Sequence, residues 1–482
     1  MSIPLEPYLD TLRAELATTL LSGDEKSVGK SARYSRRMLG MLLQRRRVMP
    51  LAEKQALQNF DSMLDELCTE VGALDGGMML VAELKQHIRT IPDYASAESA
   101  LQTAVLLLSA HPNARKRELQ SQIAAVNFEL HNSFFQAALD DSMGAATASV
   151  DEGLSADQQQ ALQAWLRQQF PTDARLQITG VRALLGGASK NTLVVKLDNA
   201  THLPQAVVVR MDKAAGVAES TVIDEYFLLQ LTHSAGLPVP VPYALESSGE
   251  VLGAPFELLS YVEGGNIGDW TEVTEPSREF AVDVAHTLAK LHQIPEAAVQ
   301  GRLPGADSTT RERMQRDMQR FENTWRASGQ PSIVLEQAYA WLKEHLELAE
   351  GARSIVHCDP GIHNMLARDG RLAALLDWET AVIGNPAQDL TYMRPKVNSM
   401  IAWEDFLQEY QVAGGVLPSD GEMDFYELWR GVFSMHFNSM ARAFYLSGMA
   451  SSLVLAYVSQ NVYHFFYQDL HDTVNRIYQR YS

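Results

Sequence analysis

An aspartate, Asp359, is followed five residues later by an asparagine, Asn364, and a second acidic pair, Asp377 and Glu379, closes the next apolar run. Phosphoryl transfer from ATP uses such a set: one Asp orients the acceptor hydroxyl and takes its proton, while an Asn and a second Asp hold Mg²⁺ on the phosphates. Hard cations take oxygen ligands, so Asn364 and Asp377 suit Mg²⁺ and Asp359 is left as the candidate base. Any single Asp in a loop is ordinarily a turn or cap residue. Here residue types, spacing and strand context agree, which lifts the set above that reading. The other chemistry on offer is a transition-metal site of His357, Asp359 and His363, since imidazole and carboxylate are suitable ligands. It leaves Asn364, Asp377 and Glu379 without a role.

Short elements must position these side chains. Ile355 and Val356 read as a strand, a polar loop follows, and a β-hairpin turns at Asp369-Gly370 into a second apolar strand, Leu372 to Leu376. The strands are expected to deliver the polar side chains to one end of a sheet. Further upstream, strand-like segments Leu176 to Leu185 and Leu193 to Leu197 flank Gly186-Gly187-Ala188-Ser189-Lys190-Asn191-Thr192. A glycine pair lets backbone N–H groups approach phosphates closely, and Ser189 and Thr192 can add hydroxyl donors. No G-K-S/T and no helix follow, so this is not a Walker A loop. The next strand, Ala206 to Met211, carries one cation, Arg210, and a helix expected over Glu219 to Leu231 carries Glu225.

The sequence His357-Cys358-Asp359, with Asn364, Asp377-Trp378-Glu379, Gly384-Asn385-Pro386 and Asp389-Leu390, resembles the aminoglycoside phosphotransferase family, a protein-kinase-like group acting on small-molecule hydroxyls. That family's pattern is H-G-D, four residues, N, then D-x-E and G-D-P-x-x-D-L. Cys358 stands here for its Gly and Asn385 for its Asp. The resemblance covers roughly residues 155 to 470. It implies an α+β, two-lobed protein-kinase-like fold with the site between the lobes and ATP and Mg²⁺ as cofactors. Asp359 would be catalytic; Asn364 and Asp377 would carry the metal, with Glu379 a further metal-shell or ligand-orienting carboxylate. Gly186, Gly187, Ser189 and Thr192 would line the phosphates, Arg210 would grip them with Glu225 steadying it, and Ser260 to Val262 would be the hinge meeting adenine. His357 and Asp389 would brace the loop.

Kinases place a Lys where Arg210 stands. The Arg is similar to the branch found with acyl-CoA dehydrogenases, where GGxSNxT-like loops and V-L-R strands occur together. That branch implies a hydroxyacyl-CoA or related metabolite as acceptor. The formal net charge of −19 would instead suit a cationic aminoglycoside or amino alcohol. A nucleotide-binding scaffold without turnover is the remaining alternative, and an intact Asp359, Asn364 and Asp377 argues against it.

At 482 residues the chain exceeds what one core usually supports. Residues 1–142 read as an all-α bundle, 143–154 as a linker, 155–262 as the smaller lobe and 263–482 as the larger. The bundle has breaks at Ser22-Gly23, Pro50, Gly76-Gly77, Pro92 and Pro112. It carries a basic stretch from Lys26 to Arg47, either a solvated helix face or a dock for an acidic partner or phosphate. It could serve a protein partner or self-association. Acidity of the whole argues against nucleic acid, whose backbone is met by clustered Lys and Arg. Two distant cysteines, Cys68 and Cys358, offer no disulfide framework. The N-terminus lacks a basic region leading into an apolar core, and no apolar run could span a bilayer, so a cytoplasmic location without membrane contact is expected.

Overall fold

The computed structural model describes residues 154–184, 190–212, 220–268, 270, 273–328, 332–446 and 462–481. The expected bundle over 1–142, the linker to residue 153, and Gly186, Gly187 and Ser189 lie outside these residues. The described residues fall into two compact units, one within Asp151–Arg316 and Leu346–Arg430, the other within Asp317–His345 and Gly431–Ser482.

The first unit begins with α1 (Ala156–Gln169). Its start is a capping box: Gln158 N donates to Ser155 Oγ and Ser155 N to Gln158 Oε1, so two N–H groups that a helix end would orphan are matched. A five-stranded antiparallel sheet follows, built from β1 (Gln177–Leu184), β2 (Lys190–Asp198), β3 (Ala206–Asp212), β4 (Pro242–Glu246) and β5 (Phe256–Ser260) in the order β1-β2-β3-β5-β4. Between β3 and β4 runs α2 (Val222–Ser234), capped by Thr221 and Asp224 in the same reciprocal manner.

Side chains alternate across a strand, and here the alternation decides the chemistry. Val207, Val209 and Met211 of β3 and Phe256 and Leu258 of β5 pack with Leu162, Trp165 and Leu166 of α1. The Trp165 and Phe256 rings meet edge-on at 4.8 Å. The opposite face carries Val208 and Leu259, which pack with Leu228 and Leu229 of α2. Arg210 and Glu257 share that second face by parity and stand directly opposite one another in the β3–β5 register.

The rest of this unit is mostly helical. Helix α3 (Arg278–His292) buries Phe280, Ala281, Val284, Ala285, Leu288 and Leu291 along one side. Helix α4 (Thr310–Ala327) contributes residues to both units, while α5 (Ile333–Glu344) belongs to the second. Then come β6 (Ser354–Val356), β7 (Met365–Arg368), β8 (Arg371–Leu375) and β9 (Val382–Gly384), followed by α6 (Ala387–Val397), α7 (Trp403–Val412) and α8 (Asp420–Leu446). The hairpin forms where expected, with φ of 53° at Asp369 and 73° at Gly370, the pair of positive values that suits a tight two-residue turn.

One expectation is corrected. The strand containing Ile355 and Val356 is not in the hairpin's sheet; β6 pairs with β9, and β7 with β8, as two separate ribbons. The intervening residues include a 3₁₀ turn at Ile362–Asn364 that redirects the chain. The polar residues therefore lie between two ribbons.

Two contacts tie the sheet's end to the hairpin. Leu375 N donates to Pro238 O, in the turn after α2, at 2.8 Å. Beyond β5, Gly265 and Ala367 exchange both backbone hydrogen bonds. Gly264, at φ 157°, leaves no room for a side chain, since a Cβ would stand 2.7 Å from Ala367 O.

The second unit also includes α9 (Tyr463–Arg480), and two of its ring contacts are made from α4. Phe321 stacks on His436 at 3.7 Å and Trp325 on Tyr339 at 5.8 Å. Glu322 is held by Arg326 and Lys343. Burial pushes the His436 imidazole down to about 4, so it is neutral at pH 7.

Candidate active site

Strand β6 ends at Val356, and after His357 the backbone takes an unusual path. Cys358 has φ 67°, a left-handed conformation that costs a non-glycine residue about 1–2 kcal/mol. The family's glycine at this position has that physical reason. What holds the conformation is Asp389, completely buried, whose carboxylate accepts from His357 N and Cys358 N at 2.8 Å each. His292 of α3 supplies a third donor: its Nε2 is 3.1 Å from Asp389 Oδ2, and its Nδ1 is 2.8 Å from the Tyr410 hydroxyl.

His357 faces the Leu376 carbonyl through Nε2 at 3.0 Å, and Thr380 Oγ1 donates to the His357 carbonyl at 2.8 Å. A carbonyl can only accept, so the proton sits on Nε2 and that nitrogen is closed to a metal. Among the described residues no group of three or more His, Cys, Asp or Glu side chains is placed to hold a metal ion. The transition-metal reading of His357, Asp359 and His363 is thereby corrected.

Asp359, with 24% of its side chain exposed, is held from several sides. Asn364 Nδ2 donates to its carboxylate at 3.0 Å and to its backbone carbonyl at 3.1 Å; His363 Nε2 lies 3.4 Å from Oδ2. Burial pushes the Asp359 carboxyl up, but His363 and hydrogen bonds from His363 and the Tyr392 hydroxyl outweigh it, leaving the group below the usual carboxylate range. Asp359 is thus ionised at neutral pH. His363 is positioned in turn by Trp270, 5.1 Å away ring to ring, and by Asn266, whose Nδ2 donates to the carbonyls of His363 and Met365.

Leu376 N donates to Asn364 O at 2.8 Å, which brings the strand after the hairpin alongside the loop and sets Asp377 next to Asn364. Asp377 also has a left-handed backbone, φ 64°, and its side chain is 30% exposed. Its carboxylate pairs with Arg210. Glu379 stands on the 3₁₀ turn Trp378–Thr380 immediately after.

Arg210 reaches across from β3. Its Nε and Nη2 donate to Glu225 Oε2 and Oε1 at 3.3 and 3.0 Å, a two-pronged contact that a lysine could not make. Thr192 stands opposite Arg210 in the β2–β3 register, so the residue that closes the glycine-rich loop is level with that guanidinium. Lys190 is buried and tied to Asp212 Oδ1 at 2.8 Å and to Ser220 O at 2.6 Å. Ser260 pairs with Val241 through its N–H and, as acceptor, its hydroxyl, both at 2.9 Å, and Val262 follows on the connection to Gly264-Gly265.

The structure therefore brings Asp359, Asn364, Asp377, Arg210 and Glu225 into one connected arrangement, with Thr192 at its edge. The Asn364 amide oxygen and the Asp377 carboxylate are hard oxygen donors, a donor chemistry that fits Mg²⁺ with the remainder of its shell supplied by phosphate and water. Glu257, Tyr392, Asn266 and His292 were not anticipated as parts of this arrangement. A lone Glu in an otherwise apolar strand, F-E-L-L-S, was the one signal for Glu257.

Residues 180–429 match the model of the phosphotransferase enzyme family. The chain is 27% identical over 267 residues to acyl-CoA dehydrogenase family member 11 of Rattus norvegicus, a match covering 52% of this chain and 33% of that protein. The Homo sapiens protein of that name is 29% identical over 179 residues, 35% of this chain and 22% of its own length. The chain thus spans a third or less of these relatives. Among solved structures, a candidate aminoglycoside phosphotransferase of Ralstonia eutropha superposes with a TM-score of 0.52 at 20% identity, over 66% of this chain and 98% of that one, and so shares its fold.

Proposed function

The chain belongs to the phosphotransferase enzyme family, and on that premise we propose that it transfers the γ-phosphoryl group of ATP to the hydroxyl of a small molecule, with Mg²⁺. One observation carries the reading: Arg210 is clamped two-pronged by Glu225 of α2 while contacting Asp377, so a phosphate-gripping cation and a metal-binding carboxylate meet where Asp359 and Asn364 also stand. Kinases need that cation–glutamate pair and that aspartate in place together.

Asp359 receives the acceptor's O–H proton as the acceptor oxygen bonds to the γ-phosphorus and the bond from phosphorus to the β–γ bridging oxygen breaks, releasing ADP. Such base assistance contributes about 10² to 10⁴ in rate. Asn364 keeps the Asp359 carboxylate aimed by donating to it, and with Asp377 it would hold the metal. Mg²⁺, when bound, offsets charge on the phosphate oxygens. Arg210 grips the phosphates, Thr192 and the glycine-rich loop cover them, and Ser260 to Val262 meet adenine. Glu379 is a further carboxylate for the metal shell or for orienting a ligand.

For the acceptor we favour a hydroxyacyl-CoA or related metabolite, on the likeness to proteins named for acyl-CoA dehydrogenation. ADP release across hydroxyacyl-CoAs, sugars and aminoglycosides, with Mg·ATP present, tests both parts. Asp359→Asn is expected to keep nucleotide binding and lose turnover at least about a hundredfold. Unchanged turnover removes Asp359 from the mechanism, and nucleotide binding without turnover on any acceptor favours a scaffold. No helix among the described residues is long and apolar enough to cross a membrane.

A further inference from the structure

Glu257 has no role in the reaction described above, and its surroundings do not suit a carboxylate. It is completely buried on β5, and among the described residues neither of its oxygens meets a hydrogen-bond donor. Its neighbour across the sheet is Arg210, whose Nε lies 3.8 Å from Glu257 Oε1. That N–H is already given to Glu225 Oε2, so the guanidinium offers Glu257 charge without a hydrogen bond. A buried carboxylate with no donor is costly to ionise.

The charges around it point the same way. From β3 come Arg210 and Asp212, from α2 Glu225 and Tyr226, from β2 Lys190, and on the far side of Arg210 stands Asp377. Two cations, Arg210 and Lys190, already face three carboxylates, Glu225, Asp212 and Asp377. An ionised Glu257 would be a fourth. Of the two glutamates beside Arg210, Glu225 has both oxygens hydrogen-bonded and Glu257 has none, so the proton belongs on Glu257.

We propose that Glu257 is an uncharged carboxylic acid lying behind Arg210, and that its proton keeps the guanidinium's charge directed at the nucleotide's phosphates, so that nucleotide affinity falls when the proton is lost. The inference rests on the nucleotide site proposed above. Burial pushes the Glu257 carboxyl well above the usual carboxylate range, and the Glu225 charge adds to this against the pull of Arg210 and Lys190. The folded chain then holds a proton that the unfolded chain has released above about pH 4.3. Stability from this group is whole below that pH and declines as pH rises toward the folded value.

Two measurements on the full chain decide it. The first is the affinity for Mg·ADP from about pH 6.5 to 9.5 in wild type, Glu257→Gln and Glu257→Met, the last serving if the amide disturbs folding. The second is the unfolding midpoint over the same pH range without nucleotide. Wild-type affinity is expected to fall at least about tenfold toward high pH, with both variants flat. The wild-type midpoint should fall relative to the variants as pH rises. Variants that track wild type in both measurements overturn the proposal. A difference in unfolding alone overturns the link to the nucleotide, and absence of Mg·ADP binding at every pH removes the nucleotide site itself.

Discussion

Asp389 and Glu257 are both completely buried acidic side chains in the same compact unit, and their surroundings treat them oppositely. Asp389 accepts from two backbone N–H groups and an imidazole; Glu257 accepts from nothing described. The first arrangement fixes a backbone path, because each donor belongs to the segment it positions and all three would be orphaned if the carboxylate left. The second leaves an acid that no hydrogen-bond donor among the described residues would stabilise in its ionised form, beside Arg210. Hydrogen bonds to a carboxylate build a frame, whereas a buried acid without them is costly to ionise.

The contrast can be broken at several points. Asp389→Ala should have the largest effect. Three buried donors lose a charged acceptor, each such bond contributing about 1.5–3 kcal/mol, so chemical denaturation should register a loss above about 3 kcal/mol. A loss under 1 kcal/mol would mean that the loop holds itself. Arg210→Lys comes next. A point charge cannot grip Glu225 in two places and meet Asp377, and loss of one charge-assisted bond should weaken Mg·ADP binding about tenfold or more by calorimetry. Unchanged affinity would show that the fork is not what the phosphates need. Cys358→Gly is expected to be nearly neutral. It relieves the left-handed strain but adds unfolded-state freedom of about 0.4–1 kcal/mol and removes a buried side chain, so the unfolding free energy should stay within about 1 kcal/mol. A larger loss would show that the buried thiol, not the backbone, is what this position selects.

Local features were the legible ones. The residues from His357 to Asp389 lie close in sequence, and the turn at Asp369-Gly370 announces itself through its residue types, so the candidate set and its hairpin could be read from spacing. The pairing of Arg210 with Glu225 was legible because one strand and the next helix carry them. Glu257 was not, since its partner is fixed by cross-strand register, and F-E-L-L-S reads as an ordinary apolar strand until β5 is laid beside β3. The link of His292 to Asp389 depends on how α3 and α6 meet, which the residue pattern of α3 alone does not show. The two-ribbon arrangement was missed for a similar reason: pairing of β6 with β9 joins segments on either side of the hairpin.

The hydrogen bond from Leu375 to the Pro238 carbonyl has a mechanical meaning. It fastens the turn that follows α2 to the strand leading into Asp377, so the helix carrying Glu225 is moored at its C-terminal end to the same ribbon as Asp377. If the five-stranded sheet tips to admit or release a ligand, it must swing about this mooring. Travel is then smallest at the turn after α2 and grows toward the distant strand ends.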